Sequence, residues 1–366
     1  MESYSYADCA HMARALQLAA RGRYTSRPNP VVGCVIVNHG VVVGEGWHER
    51  AGQAHAEVNA LKAAGEQARG ATVYLTLEPC AHHGRTPPCA EALVRAGAGS
   101  AIVAMRDPFS EVAGRGIEAL QAAGIETRVG LMEAEAETLN EGFVSRVTRG
   151  RPFVRLKVAA SIDGGIAMQN GESQWITGPQ ARDDVQRLRA HAGAILTGIG
   201  TVLTDDPSLN VRAQNLADDD LQPLRVVLDT HLRMPPASRM LSLPGRTLVC
   251  CSGKPDDESL REAGAEVLAC PADGAVVDVA AVLGELAGRE INDVLVEAGP
   301  CVSGRLIEKA LVDELVIYQA PHIMGSETRR MFETPSLTVL ADRKRLTVTD
   351  VRRLGDDTRI RARLVD

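Results

Sequence analysis

The chain has 366 residues, of which 45% are hydrophobic, a globular composition too long for one ordinary core, so two domains are expected. A formal charge of −7 excludes dependence on a broad basic face for nucleic acid, and 3% aromatics leave few platforms for stacking bases, although a local basic pocket for one phosphate is still allowed. No apolar run reaches the ~20 residues of a membrane span, and MESYSYADCAHMARAL lacks a basic segment followed by an apolar one. These features predict a cytoplasmic protein without a membrane partner, whose eight cysteines are reduced, metal-binding or buried rather than disulfide-bonded.

The first element, YADCAHMARALQLAARG, has helical apolar spacing and stops at Gly22. VVGCVIV and VVVGEGW are β-branched runs joined through NHG, a turn of hairpin type. Helix AEVNALKAAG, strand ATVYLTL, helix CAEALVRAG, strand SAIVAM and helix GRGIEALQAAG follow. In this α/β order the later strands are parallel, because helices separate them. LMEAEAETLNEGFVSRVTRGRP reads as one closing helix running into a linker at Gly150 and Pro152, which divides the chain into residues 1–147 and 151–366. The second half restarts with strand FVRLKVAAS and continues through AILTG, LRVVLD, TLVCC, VLVEAG and ELVIYQA to two last strands, LTVTDVRRL and TRIRARLV. LADDD near Asp218 is a solvated loop, and neither a repeat nor a low-complexity tract occurs.

Chemistry concentrates first at GWHERAGQAHAEVNAL and LTLEPCAHHGRTPPCAEAL. His55 and Glu57 start a predicted helix, Cys80 ends a strand behind Pro79, and Cys89 opens another helix behind Pro87 and Pro88. Both cysteines stand where unpaired backbone N–H groups favour a thiolate. One imidazole and two thiolates leave a fourth position on zinc for water, whose pKa the metal lowers. Glu57 is then a carboxylate free to shuttle protons. His-x-Glu followed by Pro-Cys-x-x-Cys marks zinc deaminases of nucleobases, and here the second cysteine arrives six residues later, so AHHGRTPP is an enlarged loop. His82 and His83 are competing ligands, disfavoured because the loop back to Cys80 would be tight. His11 and His39 read as surface or packing residues, and Cys9 and Cys34 as buried small hydrophobes.

Residues 1–147 resemble the cytidine/deoxycytidylate deaminase superfamily. PNPVVGCVIV, GWHERAGQAHAE and EPCAHHGRTPPCAEAL, the enlarged loop included, resemble the bifunctional deaminase/reductase family of riboflavin biosynthesis. The resemblance implies a cytidine-deaminase-like three-layer α/β/α domain that binds Zn2+ through His55, Cys80 and Cys89, with Glu57 as the catalytic proton shuttle. It also implies that Asn29, His48 and Arg85 face a pyrimidine nucleotide. Asn29, between Pro28 and Pro30, sits on a stiffened loop suited to presenting its amide, and Arg85 suits a phosphate.

The second half is less decisive by residues alone. Gly198 and Gly200 follow a strand without the third glycine of a dinucleotide fingerprint, and Gly299 and Gly304 flank a strand-to-helix turn able to cradle phosphate. LKVAASIDGGIA, GESQWITG, ILTGIGTVLTDDPSLNVR and VEAGPCVSGRLI resemble the reductase domain of the same family, which implies a dihydrofolate-reductase-like α/β fold and NADPH as hydride donor. The implied cofactor neighbours are Ala159, Trp175, Thr201, Asp205, Gly299, Pro300, Cys301, Val302, Ser303, Gly304 and Arg305. The implied substrate neighbours are Ser173, Arg189, Leu209, Arg212 and Glu297. Arg189 and Arg212 suit a ribose 5-phosphate, and Glu297 stands at the carboxyl end of a strand. Without the resemblance, Arg189 reads equally as the solvated face of helix PQARDDVQRLRAHAG, and Trp175 as core or interface. Asp163 and Asp206 read as turn formers. Cys250, Cys251, Cys270 and Cys301 show no ligand spacing, and Gly165 departs from the larger or basic residue common at that place in the family.

The expectation is a homo-oligomeric enzyme acting on small pyrimidine nucleotides. A zinc-dependent deamination of a diaminopyrimidine ribosyl phosphate precedes an NADPH-dependent reduction of its ribosyl group to ribityl. Two alternatives stand beside it. One is a deaminase of another nucleotide or of RNA with a binding module behind it, and the other is a zinc that only braces the fold.

Overall fold

The computed structural model describes residues 4–81, 88–109, 113–213, 215–216, 218–255 and 257–365, which form two units, 1–150 and 151–366. The first holds a five-stranded sheet of β1 (Gly33–Asn38), β2 (Val41–Trp47), β3 (Thr72–Leu77), β4 (Ser100–Met105) and β5 (Glu126–Val129), in the order β2-β1-β3-β4-β5. Strand β1 is antiparallel to β2 and β3, whereas β3, β4 and β5 run parallel, as the intervening helices require. His39 and Gly40 join β1 to β2 with φ of 48° and 77°, the two-residue turn whose twist matches the strands.

Helices α1 (Tyr6–Ala19) and α5 (Glu133–Leu139) cover one face through Met12, Leu18 and Ala136. Helices α2 (Ala56–Ala64), α3 (Cys89–Ala96) and α4 (Arg115–Ala122) cover the other through Ala60, Leu93 and Leu120, completing three layers. Two glycines of VGEG let α2 lie directly on β2. A Cβ at Gly44 would stand 2.3 Å from the Ala60 carbonyl oxygen, and one at Gly46 2.3 Å from that of Ala56. The predicted closing helix is in fact two, α5 and α6 (Glu141–Arg149), broken at Asn140. The buried Asn140 amide is spent on the chain before β1: Val31 N–H donates to its Oδ1 at 2.8 Å, and its Nδ2 donates to the Val31 carbonyl at 3.0 Å.

The second unit is built on β6 (Phe153–Ser161), β8 (Ala194–Gly198), β9 (Leu224–Leu228), β10 (Thr247–Ser252), β11 (Ala265–Cys270), β14 (Asp293–Val296), β15 (Glu314–Ala320), β17 (Arg345–Leu354) and β18 (Asp357–Val365). Their order is β11-β10-β9-β8-β14-β6-β15-β18-β17, parallel from β11 to β15, with β18 and β17 folded back antiparallel. Two short ribbons pair β12 (Ala272–Asp273) with β13 (Val276–Val277), and β7 (Gly165–Ala167) with β16 (Arg329–Arg330). Leu286 of α10 (Val279–Gly288) and Leu306 of α11 (Pro300–Glu308) join one core cluster, with Leu156, Leu196 and Val226 of the sheet. Val202 of α8 (Ile199–Asp205) and Leu260 of α9 (Glu258–Glu262) join a second, with Ile195 and Val227. Helix α7 (Pro179–His191) packs through Ala181 and Val185 on Val316 and Tyr318 of β15. No helix among the described residues is long and apolar enough to cross a membrane.

Candidate metal centre and nucleotide cavity

His55 is the N-cap of α2, and Glu57 follows in its first turn, so the contact of α2 with Gly44 and Gly46 sets the depth of both. Cys80 lies just beyond β3 and Cys89 begins α3. The chain just before Cys80 is anchored by Glu78, a buried carboxylate held at the start of α4. One oxygen accepts from the N–H groups of Asp107 and Gly114 at 3.1 and 3.0 Å, the other from Gly116 and Ile117 at 2.8 and 3.3 Å. Such charge-assisted bonds at a helix N-terminus are strong. Gly116 permits the approach, since a Cβ there would stand 2.0 Å from the Pro79 carbonyl oxygen.

The ligand atoms of His55, Cys80 and Cys89 all lie within 4.8 Å of one another. His55 Nδ1 is 3.2 Å from Cys89 Sγ and 3.7 Å from Cys80 Sγ. Tetrahedral zinc, with its bond lengths to nitrogen and sulfur, separates ligand atoms by roughly 3.5–3.8 Å, so this spacing and this donor set fit the ion. The Cys89 N–H donates to Cys80 Sγ at 3.3 Å, and hydrogen bonds from Cys89 and His55 pull the Cys80 thiol toward the thiolate that zinc binds. Glu57 is 3% exposed, and burial pushes its carboxyl up, favouring a proton on it.

His48 is buried and meets the His55 ring edge-on, with centroids 5.5 Å apart. Its Nδ1 lies 3.2 Å from the Ala54 carbonyl and its Nε2 3.1 Å from Asn29 Nδ2. Nδ1–H therefore donates to the carbonyl while Nε2 accepts from the amide, a neutral imidazole that burial favours. Asn29 and His48 are thus gathered beside the cysteine pair. Arg85, His82 and His83 lie outside the described residues.

The second unit contains a cavity of about 1360 Å³ at the carboxyl ends of β6, β8, β9 and β14, the position where open α/β sheets bind ligands. It exceeds the ~300–1,000 Å³ usual for one small ligand, leaving room for a cofactor and a substrate together. Within it, Arg189 Nε and Nη2 donate to Glu297 Oε1 and Oε2 at 2.6 and 3.0 Å, and Lys157 Nζ lies 3.7 Å from Oε2. Arg189 also donates to the Asn210 carbonyl at 3.1 Å and is 9% exposed, so it is no solvated helix face. Burial raises the Glu297 carboxyl, but the Arg189 guanidinium and Lys157 ammonium overcome it and hold its pKa down at about 2.

Ala159, Thr201, Asp205, Pro300, Cys301, Val302 and Arg305 line this cavity, as do Ser173, Leu209 and Arg212. Ser173 Oγ donates to Asp205 Oδ1 at 3.5 Å. Leu209 is buried at a φ of +42°. Trp175 is 67% exposed at the rim, the Arg182 guanidinium 4.7 Å over its ring, and so belongs to no core. Helix α11 begins at Gly299 without a side-chain cap, leaving first-turn N–H groups for an anion. Nothing stands within 4 Å of where a Cβ of Gly200 would lie. These features suit a dinucleotide. Ser303 and Gly304 serve the helix instead: Ser303 is buried, and a Cβ at Gly304 would stand 1.8 Å from the Glu333 carbonyl oxygen.

Three residues escaped the sequence reading. Glu78 was hidden beside Pro79 and Cys80, Lys157 followed Arg155 by two residues within an otherwise apolar parallel strand, and Arg239 had no motif around it. Arg239 lines the cavity, with its backbone N–H bonded to Asp206 Oδ1 at 2.8 Å. A lysine in a strand buried on both faces was the readable signal.

Residues 152–360 match the family model described as the RibD C-terminal domain, and residues 5–105 that of the cytidine and deoxycytidylate deaminase zinc-binding region. The chain is 48% identical over 358 residues to the riboflavin biosynthesis protein RibD of Escherichia coli K12, covering 95% of this chain and 96% of that one. Its structure resembles that of Acinetobacter baumannii RibD, form 1, at 45% identity and a TM-score of 0.92, covering 98% and 99% of the two chains. It also resembles a diaminohydroxyphosphoribosylaminopyrimidine deaminase/5-amino-6-(5-phosphoribosylamino)uracil reductase from Thermotoga maritima, at 32% identity and a TM-score of 0.88, over the same shares.

Proposed function

The chain belongs to the RibD family, bifunctional deaminase/reductases of riboflavin biosynthesis that use zinc and NADPH, and from that premise we propose how its residues divide the two reactions. Residues 1–147 form the deaminase and residues 151–366 the reductase. The first acts on 2,5-diamino-6-ribosylamino-4(3H)-pyrimidinone 5′-phosphate. His55, Cys80 and Cys89 hold zinc, which when bound supplies the Lewis acidity that acidifies a water. Glu57 would take a proton from the attacking water, whose oxygen bonds the amino-bearing ring carbon, and pass it to the amine, which leaves as ammonia when the carbon–nitrogen bond breaks. Asn29 and His48 orient the base edge, and Arg85 meets the phosphate.

The second domain acts on the deaminated nucleotide. When bound, NADPH would supply the hydride that reduces C1 of the ribosyl group as the bond from C1 to the ring oxygen opens. The ring oxygen needs one proton to become a ribityl hydroxyl, and Lys157 beside Glu297 is placed to give it. Arg189 holds Glu297 in position, Arg212 and Arg239 receive the 5′-phosphate, and Ser173 and Leu209 border the substrate. Ala159, Trp175, Thr201, Asp205, Gly299, Pro300, Cys301, Val302 and Arg305 receive the cofactor.

We place the enzyme in the cytoplasm as a homo-oligomer, with no nucleic-acid or membrane partner. The exposed Leu346, Val348 and Val351 on the edge hairpin of β17 support self-association. The observation that carries the reading is the convergence of His55, Cys80 and Cys89 beside buried Glu57. A Glu57→Ala protein should keep its zinc by metal analysis and release no ammonia. Unchanged ammonia release would overturn the assignment.

A further inference from the structure

Helix α7 forms part of the wall of the reductase cavity, which Arg182, Gln186 and Arg189 line from one face of the helix. This face seats the loop of residues 209–212. Arg189 Nη1 donates to the Asn210 carbonyl at 3.1 Å, and Gln186 Oε1 accepts the Arg212 N–H at 2.7 Å. The height and rotation of α7 therefore set where Arg212 meets a phosphate and how Arg189 meets Glu297. Misplacing such a positioning group by about 1 Å costs on the order of 100-fold in rate.

The apolar contacts of Ala181 and Val185 with Val316 and Tyr318 hold the helix on the sheet, but hydrophobic burial is non-directional and leaves its register open. Directional bonds come from Asp184, a buried carboxylate with no part in the chemistry. Its Oδ2 accepts the Tyr318 hydroxyl at 2.7 Å and Arg359 Nη1 at 2.8 Å. Arg359 Nη2 in turn donates to Asp350 Oδ2 at 2.8 Å, so this network joins α7 to β15, β18 and β17. The start of β18 also holds the start of the helix, the Gly178 N–H donating to Asp357 Oδ2 at 2.7 Å. A buried ion pair is weak evidence for stability, since apolar residues of similar volume often serve as well. What apolar residues do not supply is a fixed register for the side chains that follow. Gln186 and Arg189 lie only ~3 and ~7.5 Å along the axis from Asp184.

We propose that Asp184 is a positioning residue of the reductase, clamping α7 to Tyr318 and Arg359 and thereby holding Arg212 in place for the substrate phosphate. This rests on the reading of Arg212 as a phosphate-binding group and adds the device that holds it. The test compares kcat/KM of the full-length protein for the deaminated nucleotide and for its 5′-dephosphorylated nucleoside. Wild type, Asp184→Asn and Tyr318→Phe are measured, with melting temperature and ammonia release alongside. The wild type should favour the nucleotide on the order of 10- to 100-fold, the range of one charge-assisted contact. Asp184→Asn should cut that ratio on the order of 10-fold while ammonia release at the zinc site persists. Tyr318→Phe, which keeps the ring and removes one bond, should lower the ratio by less. A merely structural role would lower the melting temperature and the turnover of both substrates alike, leaving the ratio intact. That result in folded Asp184→Asn overturns the inference while the phosphate reading stands. Should Asp184→Asn not fold, an undiminished ratio in Tyr318→Phe overturns it instead. A wild type with no preference for the nucleotide overturns the phosphate reading and the inference together.

Discussion

Glu297 is the most informative side chain to perturb, because two cations are buried against it. Glu297→Gln keeps the shape and removes the charge, leaving Arg189 and Lys157 facing a neutral amide. A carboxyl held at about 2 instead of 4.5 corresponds to about 3 kcal/mol of native-state stabilisation at neutral pH. Breaking a buried pair by removing one partner costs about 3–5 kcal/mol, a consistent range. For a domain of this size the loss lowers the melting temperature by about 6–12 °C. The pH dependence has a fixed sign. Because the folded pKa lies below the unfolded value of 4.5, the stabilisation is fully present above 4.5 and disappears as pH falls toward 2. Calorimetric unfolding of wild type and variant across pH, with NADPH oxidation and ammonia release alongside, reads all of this. Reduction should fall and deamination persist. Equal melting at neutral pH, or a gap that widens on acidification, would refute the reasoning.

Three further outcomes are expected. Cys89→Ala removes a thiolate, so zinc content and ammonia release should both be lost while the deaminated substrate is still reduced; retained stoichiometric zinc would contradict the ligand set. Gly46→Val forces a side chain into the Ala56 carbonyl, 2.3 Å from its Cβ, so urea titration should show a loss of about 1–3 kcal/mol, accompanied by reduced deamination as α2 lifts with His55 and Glu57. Arg212→Ala should raise the KM of the reductase for its phosphorylated substrate on the order of 10- to 100-fold, and an unchanged KM would move the phosphate elsewhere.

The zinc site was legible because its chemistry lies in short runs: His-x-Glu at a helix start and two cysteines behind prolines. Asn29 needed more than its own neighbours, since its partner His48 is set by a loop that Asn140 pins from far along the chain. That same contact explains why one expected helix is two, for a buried asparagine serving another segment leaves no sign in local periodicity. Glu78 shares its motif with Cys80, but its four N–H partners belong to residues 107–117 and appear only after folding. In the reductase half the parallel strands other than β11, whose AEVLAC is half-exposed at the sheet edge, were readable as apolar runs. The short β12, β13 and β16 were not, because two residues carry no period. Arg189 could not be distinguished from a solvated helix residue until Glu297, on another strand, was brought against it.

The central claim is that one chain performs deamination and then reduction at two separate sites. The direct measurement is to incubate the purified full-length protein with the diaminopyrimidine nucleotide, follow ammonia, and then add NADPH and follow the ribosyl group. Stoichiometric ammonia before NADPH, and ribityl product only after it, is the predicted result. NADPH oxidation by the undeaminated nucleotide without prior ammonia release would contradict the account.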